Sequence, residues 1–402
     1  MITAGVKGLG LCRDDARLPN RRCMVHNPPM MTTQRLPPSL TPLEVALAML
    51  LDKLAPVAPR ELALAEALGC VAAEMPPLGA VPARDVAAVD GFALRARDLV
   101  GASSYSPLPL AQPPIWVEAG DAMPGHCDCV VDVDLVDCSG PLAQVVAEAI
   151  PGQGVRRTGE DVSEVSAAIP AGQPIRALDL LVTRAAGLET LAVRRPRLHL
   201  INVPAAAGTN LTAHLITELA RAAGAAVTRS DATGRDAASI AQVFDETPCD
   251  LLIIIGGTGV GHADATVQAL AMRGKILAHG LALAPGRTTA IGRLAGIAVI
   301  ALPGAPDQAL AAWWTLALPL LDGLSARHNR PALRLPLARK IASGIGVTEI
   351  ALLKQIEDAW MPLASGYLSL DAIAGADGWL AISADSEGFA AGTPVDAYIL
   401  RD

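Results

Sequence analysis

Short apolar runs alternate with amphipathic stretches along the second half of the chain, from residue 196 onward. The apolar runs have the length of strands, and the stretches between them have the spacing of helices. Strands that alternate with helices predict a three-layer α/β domain with a parallel-rich sheet, over residues 196–324. The predicted strands are residues 198–203, 226–228, 251–255 and 297–302, and the predicted helices are residues 210–223, 236–244, 266–272 and 306–321.

One of these strands opens into a glycine-rich stretch. Residues 251–255 (LLIII) read as a strand that is buried on both faces, and residues 256–261 (GGTGVG) follow at once. A glycine turn between a buried strand and a helix brings backbone N–H groups close to an anion, with the helix N-terminus behind them. The alternative is a tight turn whose glycines serve only the backbone, and the glycine cluster alone favours that interpretation. In α/β domains ligands bind outside the carboxyl ends of the strands, which is where this stretch lies.

Outside residues 196–324 the apolar and polar positions do not follow this regular alternation. Residues 1–36 have no periodic element, and they predict a disordered extension in which Met30 or Met31 could start translation. Residues 37–195 predict a helical and β-rich linker region of two subdomains, with helices at 43–54, 61–68 and 179–187 and short strands at 115–117, 129–136 and 144–150. Residues 331–402 alternate short apolar segments with turns, which predicts a small C-terminal β-barrel or sandwich with no helix of consequence.

Composition narrows the range of functions. The 402 residues are 51% hydrophobic, 18% charged and 3% aromatic, with a net charge of −8. An acidic chain with few aromatic side chains argues against nucleic acid and against an anionic membrane as partners. No apolar run reaches the roughly 18–20 residues of a membrane span. Seven scattered cysteines without a CxxC pair predict reduced thiols and a cytoplasmic protein.

Several segments together resemble one known family. They are DVAAVDGFAL at 85–94, GGTGVG with Asp264, LAPGR at 283–287, LPGAP at 302–306, RRTGED at 156–161 and the terminal GTPVDAYIL. Their order and spacing resemble the molybdopterin molybdenumtransferase family, that of MoeA and the gephyrin E domain. The resemblance implies a homodimeric enzyme of molybdenum cofactor biosynthesis, which takes adenylylated molybdopterin and molybdate as substrates, releases AMP and uses Mg²⁺. A molybdoenzyme or a molybdopterin adenylyltransferase is the protein partner that it implies.

The resemblance also assigns site residues. Asp90 is the catalytic residue, and Asp90 and Asp264 are the candidate metal ligands. The predicted binding residues are Asn210, Gly256, Gly257, Thr258, Gly259, Gly261, Asp264, Arg287, Pro303 and Gly304. Read alone, Asp90 belongs to an ordinary Asp-Gly turn and Asp264 is a helix N-cap. Arg287 suits bidentate contact with phosphate or molybdate, and its alternative is a solvated surface arginine.

This chain departs from the family pattern at chemically important positions. Residues 204–207 (PAAA) replace an acidic turn, Gly208 replaces a carboxylate before Asn210, Arg235 stands in an acidic pair, and Ala284 replaces a lysine. Hard cations need oxygen ligands, so the loss of several acids should weaken a divalent-ion site. Two hypotheses remain open: a molybdenum-inserting enzyme with altered ligands, and a non-catalytic molybdopterin-binding scaffold or chaperone for a molybdoenzyme.

Overall fold

The computed structural model describes residues 34–75, 77–163, 169–204, 210–244, 248–328 and 330–401. Its N-terminal part combines three helices with eleven short strands. The helices are α1 (Leu43–Leu51), α2 (Leu64–Ala67) and α3 (Ala177–Ala185). The strands are β1 (Arg60–Ala63), β2 (Val71–Ala72), β3 (Val86–Ala87), β4 (Gly91–Leu94), β5 (Leu108–Pro109), β6 (Ile115–Val117), β7 (Cys129–Val131), β8 (Val136–Asp137), β9 (Gln144–Val145), β10 (Val155–Arg156) and β11 (Thr190–Arg194).

These strands form several small antiparallel sheets. One sheet has the order β1-β11-β2, and it packs its apolar face on α2 and α3. Two further three-stranded sheets, β6-β4-β7 and β5-β9-β8, share a separate apolar cluster around Leu99 and Val145. The helix predicted at residues 61–68 is wrong in its first half. Residues 60–63 form β1 because they pair with β11, a partner more than a hundred residues away.

The middle part is the predicted α/β domain. Its helices are α4 (Leu211–Ala222), α5 (Ala237–Gln242), α6 (Thr266–Arg273), α7 (Pro306–Ala312) and α8 (Leu318–Ser325), with a π-helical turn at Trp313–Ala317 between the last two. Its strands are β12 (Arg197–Asn202), β13 (Ala226–Asp231), β14 (Leu251–Ile255), β15 (Lys275–His279), β16 (Leu283–Ala284), β17 (Ala290–Leu294) and β18 (Ile297–Leu302).

The main sheet of this domain has six strands in the order β13-β12-β14-β18-β17-β15. The first four strands are parallel, and β17 and β15 add an antiparallel edge. Every residue of β14 is buried, because one apolar cluster covers each face of the sheet. The predicted parallel-rich sheet is therefore present, and its antiparallel edge was not predicted.

The C-terminal part is built on a second six-stranded sheet. It contains α9 (Leu370–Gly375) and the strands β19 (Ala332–Pro336), β20 (Ile341–Ala342), β21 (Thr348–Ile356), β22 (Ala359–Ser365), β23 (Gly378–Ile382), β24 (Gly388–Phe389) and β25 (Pro394–Ile399). The sheet runs β16-β21-β23-β25-β19, with β22 paired to β21. Strand β16 comes from the α/β domain, so the two parts share main-chain hydrogen bonds. These pairings show a mixed sheet, and the small barrel stays a prediction.

The segment before α1 lies against the α/β domain. The predicted extension, residues 1–36, falls outside the described residues except for its last three. Gln34 hydrogen-bonds to the glycine-rich stretch, and a Cβ at Gly280 would lie 3.1 Å from the Leu36 side chain, so these last residues are part of the folded domain and not of a disordered extension. Thr41 pairs with the turn after β15 through two main-chain hydrogen bonds. In the part of the chain that the structure describes, no helix is both long and apolar enough to span a membrane.

Candidate functional site

A cavity of about 430 Å³ opens at the carboxyl ends of β12, β14 and β18. Parallel strands bring the loops that follow them to one edge of the sheet, which explains why distant segments meet there. Eight predicted site residues line the cavity: Asn210, Gly256, Gly257, Thr258, Gly259, Asp264, Pro303 and Gly304. Three others, Gly261, Arg287 and Asp90, are not among its lining residues.

The glycine loop, residues 256–261, needs glycine for steric reasons. Gly256 and Gly257 have φ angles of +93° and +68°, the left-handed region that other residues seldom adopt. A Cβ at Gly257 would also lie 2.5 Å from the Thr266 hydroxyl. That hydroxyl donates to the Gly256 carbonyl at 2.7 Å, so the loop is tied to the start of α6.

The cavity-lining part of the loop carries unpaired amides. The Gly256 amide donates to Leu302, but the amides of the next four residues, 257–260, have no hydrogen-bond partner among the described residues. On the opposite side of the loop, His279 Nε2 donates to the Thr258 carbonyl at 2.9 Å. Successive free amides can form an anion-binding concavity, and the oxyanion site at this loop stays a prediction.

The helix that follows the loop does not contribute in the way the sequence suggests. The Thr266 amide donates to the Gly257 carbonyl, and the Val267 amide donates to Gln34 Oε1 at 2.8 Å. Gln34 Nε2 donates in turn to the carbonyls of Gly257 and Gly259, at 3.0 and 2.9 Å. The N-terminus of α6 is therefore occupied by Gln34, and the expectation that it stands open behind the anion is wrong.

A different helix directs its N-terminus at the cavity. Thr212 and Ala213, in the first turn of α4, line the cavity. Asn210 occupies the N-cap position without capping the helix, because its Oδ1 accepts from Asn202 Nδ2 at 3.1 Å. Within the described residues no side chain caps this first turn, and the first turn of a helix carries free N–H groups and the positive end of the helix dipole. The favourable dipole of this site therefore belongs to α4.

Asp264 is held by two partners at the cavity wall. Its Oδ2 accepts from the Gly261 amide at 3.0 Å, and its Oδ1 lies 3.6 Å from an Arg235 nitrogen. The N-cap of α6 is Ala265, so the helix-cap interpretation of Asp264 is wrong. Asp264 and Arg235 are the only charged side chains among the described residues that line the cavity.

The residues present do not fit a Mg²⁺ ion. Mg²⁺ requires near-octahedral oxygen coordination, whereas the cavity offers one carboxylate, on Asp264, that already faces the Arg235 guanidinium. Across the described ranges, no group of three or more His, Cys, Asp and Glu side chains is placed to hold a metal ion. The divalent cation implied by the resemblance has no evident ligand set here.

Asp90 lies in the small sheets of the N-terminal part, next to the first residue of β4. Its exposed carboxylate accepts from the Ala119 amide at 2.7 Å. Gly91 is required by packing, because a Cβ there would lie 2.4 Å from the Val131 carbonyl oxygen of β7. The Asp-Gly pair thus has a structural role in this turn.

Comparison with known proteins decides the family. The model of the MoeA N-terminal region (domain I and II) matches residues 41–187, and that of a probable molybdopterin binding domain matches residues 197–323. Molybdopterin molybdenumtransferase 2 of Mycobacterium tuberculosis is 30% identical over 280 residues, which cover 60% of this chain and 69% of that protein. The chain belongs to the molybdopterin molybdenumtransferase family.

Other members show the same relationship. The molybdopterin molybdenumtransferase of Synechococcus elongatus is 28% identical over 80% of this chain and 89% of its own length. A solved molybdopterin biosynthesis MoeA protein from Pyrococcus horikosii superposes with a TM-score of 0.68 at 24% identity, covering 90% of this chain and all of that one. The last likeness supports a MoeA fold.

Sequence reasoning missed several residues that shape this family member's site. Asn202, Thr212 and Thr288 line the cavity, and Gln34 and His279 hold the glycine loop from outside it. Asn202 could have been found from the sequence, since it is a polar residue at the end of an apolar strand, and the structure buries it. Gln34 gave none, because its contacts are more than 220 residues away in sequence.

Proposed function

We propose that this protein acts in molybdenum cofactor biosynthesis, inserting molybdate into adenylylated molybdopterin with release of AMP. The observation that carries the proposal is the cavity with unpaired loop amides, inside the segment that matches a molybdopterin-binding domain. Relatives that align with most of their length are named molybdopterin molybdenumtransferases, which supports the same activity. The volume of the cavity is in the range of small-molecule sites.

The cavity's own groups suit the phosphoryl part of such a substrate. The free amides of residues 257–260 and the first turn of α4 converge on it from two sides. Donors fixed by the fold stabilise the charge of a phosphate without having to reorganise. We assign the pterin phosphate, or the phosphates of its adenylylated form, to this convergence.

The catalytic role of Asp90 requires a second subunit under this proposal. Asp90 is not among the cavity-lining residues of its own chain, so its carboxylate has to reach the cavity from elsewhere. A homodimer, which the family resemblance implies, would supply it. A molybdoenzyme or a molybdopterin adenylyltransferase would be the protein partner that exchanges the cofactor.

The test is AMP release from adenylylated molybdopterin in the presence of molybdate, compared between the wild type and Asp90→Asn. Asparagine keeps an oxygen that accepts from Ala119 and removes only the charge. Asp121→Asn is the matched control, because Asp121 caps the same turn by accepting from the Glu118 amide at 2.9 Å. Loss of a group that acts in the transition state costs on the order of 10²–10³ in rate.

We expect a loss of that size for Asp90→Asn and little change for Asp121→Asn. Binding of adenylylated molybdopterin without any AMP release by the wild type would refute the enzyme and leave the non-catalytic scaffold. Equal rates for the wild type and Asp90→Asn would remove Asp90 from the mechanism.

A further inference from the structure

Arg235 occupies a place in the cavity wall that the proposed function leaves unused. It precedes α5 and lines the cavity beside the glycine loop, with its side chain about one-third exposed. Its Nε is buried without a hydrogen-bond partner among the described residues. Its contact with Asp264 is 3.6 Å long, beyond the usual hydrogen-bond range. The guanidinium therefore lies in the cavity wall with donors still available.

Arg235 also brings the only positive side-chain charge found among the described residues that line the cavity. The one negative charge, on Asp264, is shared with the Gly261 amide. The other lining groups are amides, hydroxyls and apolar surfaces, together with the free amides of residues 257–260. Such a wall favours an anion, whereas a divalent cation would meet a guanidinium and too few oxygen ligands.

We propose that Arg235 is the cation of this site: its guanidinium binds phosphoryl oxygens of the ligand, and the cavity takes this anion without a divalent metal ion. The inference rests on the proposed function for the identity of the ligand. Asp264 is then a counter-ion that competes with the ligand for the guanidinium.

The first test is the affinity for adenylylated molybdopterin, measured by calorimetry with EDTA and again with Mg²⁺. The wild type should bind equally under both conditions, within about twofold. Arg235→Gln should raise Kd by about 10- to 100-fold, the size expected when a charge-assisted hydrogen bond is lost. Arg235→Lys should lie between them, because lysine keeps the charge and loses the planar fork.

Neutralising Asp264 tests the direction in which Kd changes. A metal ligand would lose binding when its carboxylate is neutralised, whereas a competing counter-ion should release the guanidinium. We expect Asp264→Asn to lower Kd by about two- to fivefold, in line with the modest worth of a partly exposed ion pair. Arg221→Gln is the control, since it removes the same charge from an exposed position at the end of α4.

Inorganic phosphate separates this inference from the proposed function. If the pterin compound does not bind the wild type, the proposed function fails. Phosphate should still raise the thermal midpoint of the wild type in EDTA, and the same phosphate concentration should raise that of Arg235→Gln by much less. Binding that needs Mg²⁺, loss of binding in Asp264→Asn, or equal response of the wild type and Arg235→Gln to phosphate would each overturn the role of Arg235. Circular dichroism confirms that each variant is folded.

Discussion

Gln34→Ala is the substitution that tests how the glycine loop is held. The Gln34 amide joins the glycine loop to the start of α6: it donates to the carbonyls of Gly257 and Gly259 and accepts from the Val267 amide, with a longer contact of 3.4 Å from the Gln268 amide. The Val267 contact replaces the N-cap that α6 lacks. Alanine removes all of these hydrogen bonds and leaves the N-terminus of α6 without a side-chain acceptor.

The magnitude follows from these contacts. Each hydrogen bond contributes a net of about 0.5–1.5 kcal/mol, and the contacts are only partly buried, so water replaces some of them. Loss of an N-cap interaction alone costs about 0.5–2 kcal/mol. We expect local opening of the loop to become easier by roughly 1–3 kcal/mol, which is about 5- to 150-fold.

Hydrogen exchange of the Val267 amide measures this opening directly. Its exchange rate should rise by the stated factor in Gln34→Ala, while amides of the fully buried strand β14 keep the wild-type rate. Gln268→Ala is the control, because Gln268 is an exposed neighbour on α6. An unchanged Val267 rate in Gln34→Ala would refute the claim that Gln34 anchors the loop.

Two further predictions concern other parts of the chain. Gly91→Ala should lower the free energy of unfolding in a urea titration by about 1–3 kcal/mol, because the new Cβ would lie 2.4 Å from the Val131 carbonyl. Gly125→Ala, which has open space around it, is the control and should be near neutral in the same titration. Burial raises the pKa of Asp250, but hydrogen bonds from Arg197 outweigh it and hold that pKa below its usual range. The ionised Asp250 therefore stabilises the folded protein above the unfolded pKa of about 3.9, and this stabilisation is lost as the pH falls through the lower folded pKa. The difference in thermal midpoint between the wild type and Asp250→Asn should accordingly shrink with acidification below about pH 4.

The positions of the parallel strands along the chain could be predicted because the local pattern determined them. Residues 251–255 are apolar without interruption, and the structure buries all of them in β14. The edge strands β15 and β17 were missed because neither is an uninterrupted apolar run: β15 begins with Lys275 and ends with His279, and β17 has a glycine at its centre. Strand β1 was read as a helix because its residues favour helices, and a distant partner overrode that preference.

In the candidate site, too, features that depend on adjacent residues could be predicted, and features that depend on distant segments could not. The glycine loop was predicted from residues that are adjacent in the chain, and it lines the cavity. The environments of Asp264 and of the α6 N-terminus depend on Arg235 and Gln34, which approach from distant segments. Arg235 was recognised as a departure from the family pattern, but only the fold shows that it faces Asp264 inside the cavity.

Molybdenum transfer is the measurement that tests the proposed function most directly. Purified protein is incubated with one equivalent of adenylylated molybdopterin and excess molybdate, and both AMP and pterin-bound molybdenum are quantified. The proposed function predicts that the two rise together in equal amounts in the wild type, and that both fall in Asp90→Asn. AMP without molybdenum on the pterin, or neither product despite tight pterin binding, would contradict it.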